Sequence, residues 1–153
     1  MKIKYHKTVI LLFSLLVACQ SVTPLPNIDA PTDSEFTLAP GQTVTITDTE
    51  LTIRLIGVTD DERCPSEIEC VVSGPVSVSL SVQMEDGTPT DLNLQTFTSN
   101  NGRAPDMQFE GIKDRAEYEG YVIRIVSVLP YPAKSFNEIK DSEYRVTLVV
   151  TKK

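Results

Sequence analysis

Histidine is almost missing from this chain: the only one, His6, stands near the start of 153 residues. Should the opening segment be removed, no imidazole remains. That excludes Ser-His-Asp and Cys-His nucleophilic machinery, which needs a base titrating near neutrality. Long apolar runs are lacking as well. The run from Thr8 to Ala18 has eleven residues, and as a helix it would span about 16 Å, roughly half of a hydrocarbon core. It is too short to be a transmembrane anchor. No internal repeat is found, and helix-period patterning is nearly absent.

Basic residues are in the minority, 14 against 21 acidic ones. Without residues 1–18, which hold Lys2, Lys4 and Lys7, 11 basic residues face 21 acidic ones, a net charge of −10. Such a surface repels nucleic acid and anionic headgroups, so no nucleic-acid partner is expected. The three lysines, the short apolar run and the small residue Ala18 together read as a secretory signal over residues 1–18. Leu16, Val17, Ala18 and Cys19 resemble the lipobox of bacterial lipoproteins. The resemblance implies a diacylglyceryl group on the Cys19 sulfur and an acylated new amino terminus, the two signals that stable anchoring requires. Gln20 stands where the pattern for inner-membrane retention places Asp. An outer-membrane address is therefore expected in a Gram-negative cell, and the outer face of the plasma membrane otherwise.

With Cys19 alkylated outside the cytosol, Cys64 and Cys70 are the only thiols left, and pairing is their expected fate. A redox-active pair and a metal site are the alternatives. Zinc calls for four ligands at paired spacings, and no histidine accompanies these cysteines. A thioredoxin-like site has two residues between its cysteines, whereas five lie between these two.

Residues 19–35 carry prolines and few large apolar groups, and read as a lipidated cysteine followed by an extended spacer. A single domain is expected over 36–153, long enough to bury about two thirds of its unfolded surface. Within it the side-chain period is two. Val76, Val78, Leu80, Val82 and Met84 alternate with polar residues; Leu51, Ile53 and Leu55 repeat the pattern, and Gly57 marks a bulge or a close approach. In 121–129 both alternating sets are largely apolar, which predicts a central strand covered on both faces. Tyr144, Val146, Leu148 and Val150 form the last set. Shorter strands are expected at 36–38, 43–47 and 91–97, and a helical turn or two at 133–141. About seven strands with little helix predict an all-β fold, an antiparallel sandwich or a small barrel.

The residues Arg63, Cys64 and Pro65, with Cys70, Gly74 and the later Pro130, Tyr131 and Pro132, resemble a family of small secreted or lipid-anchored bacterial β proteins with no characterised activity. Where that pattern often has an aromatic residue, this chain has Val72. The resemblance implies a β fold and a disulfide, and supplies no catalytic residues.

Catalysis by paired carboxylates is the one hydrolytic chemistry left open. Nothing in the sequence distinguishes one pair among so many acids, and no catalytic residue or cofactor is assigned. No metal is assigned either. Asp60, Asp61, Glu62, Glu67 and Glu69 supply the hard oxygens that calcium takes, at a spacing unlike an EF-hand, and are weighed against a merely soluble loop. Arg63 is expected to pair with an acidic neighbour. The expected function is a non-enzymatic, lipid-anchored module at the cell envelope that binds a protein, a glycan or an envelope component through its loops. The alternatives are a carboxylate-dependent hydrolase of envelope or extracellular polymer, and a protease-inhibitor-like binder presenting the disulfide loop.

Overall fold

The computed structural model describes residues 24–153. The expected signal over 1–18 and the lipidation of Cys19 lie outside the described residues. Among those described, nine strands form two sheets that do not close into a barrel: an all-β sandwich. The strands are β1 (Ile28–Ala30), β2 (Glu35–Leu38), β3 (Thr43–Ile46), β4 (Leu51–Asp61), β5 (Val76–Met84), β6 (Thr90–Thr96), β7 (Arg115–Tyr118), β8 (Tyr121–Leu129) and β9 (Arg145–Lys152). One sheet has the order β1-β3-β4-β5-β6 and the other β2-β9-β8-β7. Every pairing is antiparallel except β1 with β3.

The alternation seen in the sequence is what fills the space between the sheets. Leu51, Ile53, Leu55, Val76, Val78, Leu80 and Val82 of the first sheet are fully buried, as are Ile123, Ile125, Val146, Leu148 and Val150 of the second. Burying such a side chain contributes about 1.5–3 kcal/mol, so this two-sided apolar layer is the main source of stability. β8 is internal to its sheet, as its double-sided pattern predicts. A register shift between Ile125 and Ser127 lets Ile125 and Val128 both enter the core. Its outer edge is shared: β7 pairs with the first half, and the segment 102–104 bonds to Val126 and Val128 in the second. Gly102 makes this possible with φ +79°, in a spot where a Cβ would lie 2.8 Å from the Val128 carbonyl oxygen.

Two local expectations are corrected, and one strand, β7, was not among those expected. The spacer over 19–35 ends sooner, and the folded unit starts before residue 36: Ile28–Ala30 runs parallel to β3, and Ala30 is buried. Proline content argued against a strand there, yet an edge strand tolerates the adjacent Pro31 because one side makes no ladder. β7 was also too short and polar to show in the pattern. The helical turns at 133–141 are not formed, and only Asp141–Glu143 makes a 3-10 turn. Asn137 sits at φ 59°, outside the right-handed helical region, and the Glu138 carboxylate accepts the Ala133 and Lys134 N–H groups, which closes the segment as an irregular turn.

Two bulges in β4 position the end of the molecule that matters most. Register shifts between Leu55 and Gly57 and between Val58 and Asp60 each add a residue to β4 against β5. Two extra residues restore the original parity, so Asp61, opposite Val76, points inward as Leu55 does. Gly57 is at the bulge, with open space where its Cβ would be.

Candidate functional site

Asp61 and Arg63 leave β4 as a buried ion pair, with side chains 5% and 0% exposed. Arg63 Nε donates to Asp61 Oδ1 at 2.7 Å and Nη2 to Oδ2 at 2.6 Å, the two-pronged geometry that suits a guanidinium to a carboxylate. Nη1 donates to the Val128 carbonyl at 2.8 Å and Nη2 to the Pro130 carbonyl at 2.9 Å, so the same side chain clamps the end of β8. The Tyr131 ring lies over the guanidinium, 5.0 Å from centroid to Cζ, and its hydroxyl donates to the Cys64 carbonyl at 2.9 Å. Tyr144 completes the cluster by donating its hydroxyl to Asp61 Oδ2 at 3.0 Å. Burial pushes the Tyr144 phenol far above its ordinary range and the neighbouring Asp61 charge adds to this, so it stays a donor.

On this base stands the loop from Cys64 to Gly74. Cys64 and Cys70 form a disulfide, their Cα atoms 6.0 Å apart. Ser66 and Glu67 N–H groups donate to the carbonyls of Pro132 and Ala133, at 3.0 and 2.8 Å, which ties the loop to the segment after β8. Where the chain returns to β5, Gly74 N–H bonds the Glu62 carbonyl at 2.9 Å and Glu62 N–H bonds the Pro75 carbonyl at 3.1 Å. That approach leaves no room for a side chain at 74, since a Cβ would lie 2.8 Å from the Glu62 carbonyl oxygen. The residues singled out in the sequence therefore meet in one place. No protein-family model, no curated protein and no solved structure matches this chain.

Held on this frame, the loop presents apolar side chains to solvent: Val71 is 103% exposed, Val72 78% and Ile68 42%. The sequence marked Val72 only as a departure from a family pattern, and the acids around it drew the attention. The signal of these side chains was three aliphatic residues in a short stretch with no strand alternation to bury them.

The five weighed acids do not come together as a calcium site. Asp61 faces inward with both oxygens engaged by Arg63 and Tyr144, while Asp60, Glu62, Glu67 and Glu69 are exposed. Among the described residues, no group of three or more His, Cys, Asp or Glu side chains is placed to hold a metal ion. Arg63 pairs with an acidic neighbour, as expected. Beside the cluster a depression of ≈ 220 Å³ is lined by Asp60, Asp61, Asp141 and Tyr144, among others. Its inward-facing carboxylate, Asp61, has both oxygens taken by Arg63 and Tyr144. Among the described residues no helix is long and apolar enough to cross a membrane.

Proposed function

We propose that this protein is a lipid-anchored, non-enzymatic binding module of the cell envelope, held through Cys19 and making its contact through the disulfide loop. The observation that carries this reading is the pairing of a locked backbone with exposed aliphatic side chains. Val71 and Val72 stand in water on a loop fixed by a disulfide, a buried ion pair and backbone bonds to 132–133. Exposed apolar groups on a rigid frame favour recognition, because little conformational entropy is lost when they are covered. The lipobox resemblance at Leu16, Val17, Ala18 and Cys19 supports the anchor, and the disulfide suits a compartment outside the cytosol. The address is the outer membrane in a Gram-negative cell and otherwise the outer face of the plasma membrane. A protease-inhibitor-like wedge is one form of the same reading. Hydrolysis by paired carboxylates is disfavoured by the commitment of Asp61 to Arg63.

Photo-crosslinking in intact envelopes tests the proposal. A photoreactive residue at position 72 should give a discrete adduct, and one at position 86, in the far β5–β6 turn, should not. Equal labelling at both positions, or none at 72, would refute the loop as the contact surface.

A further inference from the structure

We propose that the partner of the disulfide loop is the bilayer itself: Ile68, Val71 and Val72 enter the interface of the membrane that holds the acyl chains of Cys19. The proposal deepens the reading above and rests on its lipid anchor.

Gln42 Nε2 donates to the Pro26 carbonyl at 3.0 Å, and Ile28 pairs with Val44, so the chain enters β1 beside the turn at 39–42. Pro24 and Leu25 line one hollow with Pro40, Ser142 and Arg145. That end of the sandwich is also where β2 stops, β8 stops and β9 starts, since Leu38 pairs with Val146 and Leu129 with Arg145. The disulfide loop belongs to the same end, because Arg63 grips Val128 and Pro130, and Ser66 and Glu67 bond to 132–133. Cys19 precedes Pro24 by five residues, which fully extended reach about 18 Å at most. An acylated Cys19 therefore holds the disulfide-loop end toward the membrane.

The two ends differ in the way this orientation requires. Exposed large apolar side chains Leu25, Ile68, Val71, Val72, Leu129 and Phe136 lie at the anchored end. The far end consists of the turns between β1 and β2, β3 and β4, β5 and β6, and β7 and β8. It exposes no large apolar side chain among the described residues and carries Asp33, Asp48, Glu50, Glu85, Asp86 and Glu119. Acids stand at both ends, with Glu62, Glu67, Glu69, Glu138 and Asp141 exposed at the anchored one, so the aliphatic tips are what sets apart the end that faces the headgroups. Glu67 and Glu69 on either side of Ile68 disfavour an anionic headgroup layer and select a zwitterionic one.

The chain has no tryptophan, so Val72→Trp introduces a sole indole reporter at an exposed position. The full mature lipoprotein carrying Val72→Trp would be reconstituted in phosphatidylcholine vesicles with and without brominated acyl chains, beside an Asp86→Trp control. The expected result is a blue-shifted emission quenched by bromine for Val72→Trp, and neither change for Asp86→Trp. Protein that floats with the vesicles and carries the lipid mass on Cys19, yet leaves the Val72→Trp indole unquenched, overturns the bilayer contact while keeping the anchor, and assigns the loop to a protein or glycan partner. Protein that neither floats nor shows the lipid mass overturns the anchor and this inference with it.

Discussion

Replacing Arg63 by Met should destabilise the domain more than any other conservative exchange outside the apolar layer. Asp61 would keep only two neutral donors, the Tyr144 hydroxyl and the backbone N–H of residue 63, while its side chain remains only 5% exposed. The carbonyls of Val128 and Pro130 would lose their partner. Breaking a buried pair from one side costs about 3–5 kcal/mol, because it leaves an uncompensated charge out of water. That is a large share of the roughly 5–15 kcal/mol by which a domain is stable. With a urea slope of about 2 kcal/mol per molar, a loss of about 4 kcal/mol lowers the unfolding midpoint by about 2 M. Asp61→Asn should be similarly costly, since it strands the guanidinium. The double variant Asp61→Asn/Arg63→Met removes both charges and should lose clearly less than the sum of the single changes, with a coupling of about 1–3 kcal/mol. Urea melts of the oxidised protein measure all three. A loss below about 1 kcal/mol for Arg63→Met, or strict additivity in the double variant, would refute the ion pair as the organiser of this end.

Tyr144→Phe should cost about 1.5–3 kcal/mol at neutral pH through the lost bond to a charged carboxylate, read as a lower thermal midpoint. The folded-state pKa of Tyr144 is raised, so its contribution is complete below the unfolded tyrosine value near 10 and is lost as pH climbs above it. The variant should accordingly show a flatter alkaline decline than the wild type, and parallel declines would contradict the assignment. Gly74→Ala should lower stability by about 1–3 kcal/mol in urea melts, since its methyl must displace Glu62, and a neutral result would mean that this crossing is loose. Reducing the disulfide should cost about 2 kcal/mol, given so small a closed loop, and should raise amide exchange in the loop without altering the sheets. Global unfolding on reduction would show that the bridge, and not the apolar layer, sustains the fold.

The all-β class and most strands were legible in the chain because each strand buries one face, and that requirement writes a period of two into the sequence. Val76 to Val82, Leu51 to Leu55 and Tyr144 to Val150 are all buried in the sets their spacing indicates. The pairing of Cys64 with Cys70 was legible for another reason, since no other thiol remained once Cys19 was set aside. What only the tertiary structure decided are the long-range matters. The open sandwich over the barrel depends on how strand edges pair. The strand at Ile28–Ala30 depends on a neighbour sixteen residues away, with Ile28 against Val44. The partners of Arg63 include two backbone carbonyls more than sixty residues distant, 65 and 67 along the chain, and carbonyls leave no trace in a side-chain pattern. The acidic stretch likewise looked like one cluster of oxygens along the chain. Two bulges in β4 divide it, turning Asp61 into the protein and leaving its neighbours in water, because strand parity, which a sequence window cannot count through a bulge, determines which side of the sheet each residue faces.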